Sequence, residues 1–191
     1  MTQPKLLAFA GSARRDSLNK KLAKAAAAAA EAAGATVTYV DLADFPMPLF
    51  DEDLERAGTP EIVTRWKELM KAHDGFIIAC PEHNSTYSAL LKNAIDWASR
   101  PAPNEAPLAA FAGKTAGLFA ASPGGLGGIR MLPQLRTLLM NIRVVVVPEQ
   151  FGLGQAHQAF DDAGALKDPK HVAAVQQVAE RLVRVTAALT A

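Results

Sequence analysis

The sequence predicts an α/β fold in which a five-stranded parallel sheet of order 2-1-3-4-5 lies between layers of helices, and three observations predict it. Short apolar runs alternate with longer amphipathic stretches, the pattern of βαβ units around a buried parallel sheet. The alternation yields five strands and five helices, an element order that commonly winds with right-handed crossovers into this sheet. The length of 191 residues suffices for one substantial core and is short for two, so the expectation is one domain over residues 1–191.

Taken in order, the first strand is Lys5 to Ala10, and the first helix, Leu18 to Ala33, is extreme in alanine, the strongest helix former. Gly34 stops it as a C-cap. The second strand is Thr36 to Asp41, followed by a helix at Pro60 to Ala72. The third strand, Gly75 to Cys80, leads to a helix at Ala89 to Arg100, and the fourth, Thr115 to Ala121, to a helix at Ile129 to Asn141. The fifth strand, Arg143 to Val147, ends in four consecutive valines, as a doubly covered central strand would. The last helix, Pro169 to Leu189, starts with proline at an early position behind Asp168 as N-cap. The irregular pieces are Ala43 to Thr59, Pro101 to Gly113 and Phe151 to Asp168, each long enough for a lid, a binding loop or an oligomer contact.

Composition excludes several function classes. Twenty Lys and Arg against nineteen Asp and Glu leave a formal charge of +1, so no basic field exists to hold nucleic acid. Cys80 is the only cysteine, which excludes an internal disulfide, and His73, His83, His157 and His171 form no metal-ligand spacing with it. A reducing cytoplasm fits this usage. The apolar stretch Leu6 to Ala10 is too short for a signal-peptide core, and no run approaches the roughly 18 apolar residues of a membrane span.

In a 2-1-3-4-5 sheet the loops after strands one, three and four converge at the carboxyl edge, where ligands of such folds bind. These are also the chemically unusual segments. The first, Gly11 to Asn19, combines a helix N-terminus with the hydroxyls of Ser12 and Ser17, the amide of Asn19 and the guanidinium of Arg14, one phosphate's worth of donors. Neither a G-x-G-x-x-G fingerprint nor a G-x-x-x-x-G-K-[ST] loop is present, so a monoester fits better than a pyrophosphate or triphosphate. The competing reading makes Asp16 or Ser17 a simple cap. The second loop, Pro81 to Ser88, has backbone amides and the Asn84 side chain for the polar edge of a planar ring, with His83 or Tyr87 against its face; an ordinary capped turn is the alternative. The third, Ser122 to Gly128, carries four glycines that let a backbone approach a flat ligand, followed by Arg130; the alternative is a flexible connection. Lys92 and Asp96 read as an i, i+4 pair and Trp97 as core or interface.

Together, Gly11-Ser12-x-Arg14-x-x-Ser17-x-Asn19, Pro81-Glu82-His83-Asn84 with Leu91 to Trp97, and Ser122-Pro123-Gly124-x-x-Gly127-Gly128-x-Arg130 resemble the NADPH-dependent FMN reductase family, most closely its bacterial quinone, chromate and azo reductases. The resemblance covers most of the chain and implies a flavodoxin-like three-layer sandwich with non-covalent FMN. It implies that Gly11, Ser12, Arg14, Ser17, Leu18 and Asn19 hold the phosphate, and that Pro81, Glu82, His83, Asn84, Ser85, Ser122, Pro123 and Gly124 flank the ring. Family members commonly carry tyrosine at His83 and a proline and glycine at Ser88 and Ala89; these departures bear on ring stacking, redox tuning and acceptor preference.

The resemblance further implies an enzyme in which NADPH or NADH delivers hydride to the flavin and a small-molecule acceptor (quinone, flavin, chromate or ferric ion, or azo compound) then takes the electrons. A homodimer or homotetramer with its active site near the subunit interface is implied as well. No catalytic side chain is expected, because the chemistry belongs to the cofactor and single carboxylates such as Glu82 serve to orient a loop. For the extra phosphate of NADPH, Arg15, Arg130 and Arg143 are all open. A non-enzymatic flavodoxin-type electron carrier is the alternative, and the near-neutral charge and Arg14 loop argue against it.

Overall fold

The computed structural model describes residues 3–190, which form a five-stranded sheet in the order β2-β1-β3-β4-β5 with every pairing parallel. The strands are β1 (Lys5–Ala10), β2 (Thr36–Tyr39), β3 (Gly75–Ala79), β4 (Thr115–Ala121) and β5 (Val145–Leu153). The helices are α1 (Leu18–Ala32), α2 (Glu52–Ala57), α3 (Glu61–Lys71), α4 (Ala89–Ser99), α5 (Met131–Asn141) and α6 (Pro169–Leu189). The predicted order and all ten predicted elements are present, with boundaries moved by a few residues.

Alternation along the central strands assigns side chains to two cores. Leu6, Ala8 and Ala10 of β1 face a core closed by α1 and α6, whereas Leu7 and Phe9 face one closed by α3, α4 and α5. The alanines of α1 that propensity singles out are also its packing surface: Ala23, Ala26, Ala27 and Ala30 are buried against the sheet and α6. On the opposite face the fully buried Trp66 meets Phe9 edge-on at 5.2 Å between centroids, and its Nε1 donates to the Ala94 carbonyl at 2.9 Å.

Two expectations are corrected. The valine run does not mark a central strand: β5 is an edge strand, starts at Val145 and continues to Leu153, and Val145 is 46% exposed. Pro148, which lacks a ladder donor, is tolerated there because one side of the strand has no neighbour. Arg136 of α5 covers that side, donating to the carbonyls of Val146 and Pro148 at 3.2 Å each. The segment Ala43 to Thr59 is also not irregular throughout, for it contains α2. Asp51 caps this short helix by accepting from the Asp53 N–H, and Glu52 and Asp53 lie in its first turn, so it forms from capping and charge without an apolar stripe.

Asn93 and Trp97 of α4 hold the chain ahead of α2. Asn93 Oδ1 accepts from Phe50 N–H at 2.8 Å, its Nδ2 donates to the Pro48 carbonyl at 2.9 Å, and Trp97 Nε1 donates to the same carbonyl at 2.8 Å.

Cys80, which follows β3, is fully buried, and desolvation pushes its thiol up to about 11. The thiolate is therefore suppressed at neutral pH, and alkylation of the native protein by iodoacetamide, followed by mass spectrometry, is expected to be slow until denaturant is added. Rapid labelling of folded protein would contradict this burial.

Candidate functional site

The parallel sheet brings the segments after β1, β3 and β4 together, and between them lies a cavity of about 830 Å³. It is lined by Gly11, Ser12, Ala13, Arg14, Ser17, Leu18, Asn19, Pro81, Glu82, His83, Ser88, Ala89, Leu90, Ala121, Ser122 and Pro123. A second cavity of about 680 Å³, lined in part by Gln3, Gly34, Glu149 and Arg181, sits at the carboxyl end of α1, where the helix dipole disfavours an anion.

The donor set of the first segment is open. Ser17 is the N-cap of α1 and is buried, yet its hydroxyl makes no capping hydrogen bond. Among the described residues, no protein acceptor takes the backbone N–H of Leu18, Asn19 or Lys20. Arg14 is exposed and has no carboxylate partner among the described residues. Lys20 is committed elsewhere: its Nζ pairs with Asp41 and donates to the Ala13 carbonyl at 3.2 Å, tying the segment to the end of β2. Unpaired first-turn amides, a free hydroxyl and a free guanidinium together match a dianionic phosphate monoester.

Three side chains bind the segments to each other in pairs. Asn19 Nδ2 donates to the Ala121 carbonyl at 2.9 Å while its Oδ1 accepts from the Ala121 N–H at 2.8 Å, linking α1 to the end of β4. Ser88 Oγ donates to the Gly11 carbonyl at 2.6 Å and accepts from Leu91 N–H at 3.2 Å, linking the start of α4 to the end of β1. A Cβ on Gly11 would lie 2.8 Å from Cys80 Sγ, so only glycine permits this approach. Glu82 Oε1 accepts from Arg130 Nε at 2.7 Å, and its Oε2 accepts from the N–H groups of Arg130 and Met131, joining the segment after β3 to the start of α5. This carboxylate, 9% exposed, acts as the cap that α5 otherwise lacks.

Of the sequence-predicted site residues, Gly11, Ser12, Arg14, Ser17, Leu18, Asn19, Pro81, Glu82, His83, Ser122 and Pro123 line the cavity, whereas Asn84, Ser85 and Gly124 do not. Asn84 and Ser85, at φ 51° and 69°, form the tip of a two-residue turn closed by reciprocal backbone hydrogen bonds between His83 and Thr86. Gly124 donates its N–H to Ser122 Oγ at 3.1 Å within its own turn. The Asn19 side chain, expected to donate to the phosphate, engages Ala121 through its Oδ1 and one of its two Nδ2 donors.

The glycines of the third loop divide. Gly127, at φ 59°, packs against β5, where a Cβ would lie 2.8 Å from the Gly152 backbone; close approach here serves the fold and not a ligand. Arg130 is held by Glu82, and Arg143 precedes β5 at the opposite end of the sheet. Sequence reasoning did not assign Ala13, Ser88, Ala89, Leu90 or Ala121 to the site. The readable signal was Ser88, a serine one residue before a helix. Among the described residues, no group of three or more His, Cys, Asp and Glu is placed to hold a metal ion.

Residues 4–158 match the model of a family described as NADPH-dependent FMN reductase. An NAD(P)H-dependent FMN reductase of Pseudomonas aeruginosa is 37% identical over 183 residues, covering 93% of this chain and 92% of that one. A probable NADPH:quinone oxidoreductase of Oryza sativa subsp. japonica is 38% identical over 180 residues, covering 88% and 83%. Among solved structures, the flavoenzyme NAD(P)H:(acceptor) oxidoreductase FerB of Paracoccus denitrificans aligns with a TM-score of 0.83 at 30% identity, covering 97% of this chain and 98% of that one. The match spans the sheet and all three segments around the cavity, and the chain belongs to the NADPH-dependent FMN reductase family.

Proposed function

We propose that this FMN-dependent NAD(P)H oxidoreductase holds its flavin in the cavity at the carboxyl edge of the sheet and passes the electrons to a quinone. The observation that carries the reading is the donor set left without protein partners, among the described residues, at the start of α1: the amides of Leu18, Asn19 and Lys20, the Ser17 hydroxyl and Arg14. These groups, with Ser12, take the phosphate. Pro81, Glu82 and His83 on one side and Ser122 and Pro123 on the other flank the ring. FMN, when bound, supplies the hydride chemistry between nicotinamide and acceptor.

The protein's own part is position. Glu82 is occupied by Arg130 and the first turn of α5, so it holds two walls of the cavity together and is not free to move a proton. With Arg130 engaged and Arg143 remote, Arg15 is left for the extra phosphate of NADPH. A quinone is favoured over free flavin, chromate or an azo compound because relatives of bacteria and plants carry quinone reductase names at 33 to 38% identity. We further propose a homodimer or homotetramer, in support of which Leu126 and Ile129, in the loop after β4, are 61% and 57% exposed. The free Cys80 fits the cytoplasm, and among the described residues no helix is long and apolar enough to cross a membrane.

Two outcomes test the reading. Replacing Arg14→Ala removes a charge-assisted contact and is expected to weaken FMN binding about ten- to a hundredfold in a titration of apo-protein; unchanged affinity would place the phosphate elsewhere. Steady-state rates with NADPH and benzoquinone are expected to give parallel double-reciprocal lines, since donor and acceptor use one site in turn. Intersecting lines would contradict a shared site.

A further inference from the structure

Asn19 occupies the second position of α1, so its backbone N–H belongs to the unpaired first turn while its side chain belongs to β4. The residue is 3% exposed, and both ends of its planar amide engage the N–H and the carbonyl of one residue, Ala121. A paired contact of this kind fixes separation and orientation together, and burial makes either bond costly to lose. Ala121 is the last residue of β4, and Ser122, next in sequence, lines the cavity. The Ser122 N–H continues the ladder to the Leu153 carbonyl, and its own carbonyl accepts from Ala156 N–H, so the stretch that Asn19 grips is anchored to β5 as well. One residue thus stands in the phosphate-binding turn with its backbone and in the ring-binding wall with its side chain.

We propose that Asn19 is a positioning residue that sets the ring subsite relative to the phosphate subsite, an inference that rests on the FMN reading above. Its side chain acts on the flavin ring through Ala121 and Ser122 and not on the phosphate. Removing the amide therefore weakens binding of the ring whether or not a phosphate is attached, which separates Asn19 from Arg14, whose loss affects the phosphorylated ligand alone.

The experiment compares FMN with riboflavin, which lacks the phosphate, by fluorescence titration of apo-protein for the parent, Asn19→Ala and Arg14→Ala, with ligand-free thermal melts to establish folding. Asn19→Ala is expected to weaken both flavins by a similar factor, on the order of tenfold for two lost backbone hydrogen bonds. The ratio of the two affinities stays at the parental value, and the visible circular dichroism of bound flavin changes. Arg14→Ala is expected to lower the ratio and leave riboflavin binding unchanged. If Asn19→Ala weakens FMN alone, the residue is a phosphate ligand and the proposal is overturned; if it weakens neither, the clamp does not reach the cofactor and the proposal is overturned equally. Asn19→Ser, a residue at home near helix starts, carries the same comparison if the alanine variant does not fold. A parent that binds neither flavin would overturn the FMN reading itself.

Discussion

The arrangement depends on the buried bidentate contact between Asn19 and Ala121. A parallel sheet delivers several loops to one edge but does not dictate their mutual spacing, since each loop hangs from a different strand. Asn19 removes that freedom between α1 and β4, Ser88 removes it between α4 and β1, and Glu82 between the turn after β3 and α5. Each tie uses a side-chain oxygen or amide to satisfy backbone groups that the regular elements leave unpaired. The three walls of the cavity are consequently held by bonds that do not involve a ligand, which is the preorganisation that close binding of a flat molecule needs.

The same ties sort the charges around the site. Lys20 is neutralised by Asp41 and Arg130 by Glu82, whereas Arg14 and Arg15 have no carboxylate partner among the described residues. The division assigns two functions to one cluster: paired cations hold backbone, and unpaired ones remain available to an anion. Ser88 has a comparable double role. Its hydroxyl caps α4 and reaches the Gly11 carbonyl, an interaction that a proline at this position could not make.

Much of the fold was legible in the sequence because its carriers are local. Gly34, at φ 98°, ends α1, and Asp168 caps α6 ahead of Pro169, both as composition suggests. The open donors between β1 and α1 were equally legible, since a strand, a short polar turn and a helix start define them without tertiary detail. What escaped was set by contacts distant in sequence. Asn19 reads as a donor to solvent or ligand until Ala121, 102 positions away, takes both ends of its amide. Glycines 127 and 128 read either as backbone open to a flat ligand or as a flexible connection until β5 packs on one of them and Ala120 on the other. The valines of β5 read as central because hydrophobicity does not reveal which strand lacks a neighbour, and Asn84 and Ser85 read as wall residues because the tight turn that lifts them away depends on backbone pairing of His83 with Thr86.

The most direct test of the central claim is the visible absorption spectrum of the purified protein, reconstituted with FMN and recorded anaerobically before and after addition of NADPH. The account predicts a bound-flavin spectrum that bleaches on adding NADPH and returns when benzoquinone follows. A protein that takes up no flavin, or a bound flavin whose spectrum is unchanged by NADPH, would contradict it.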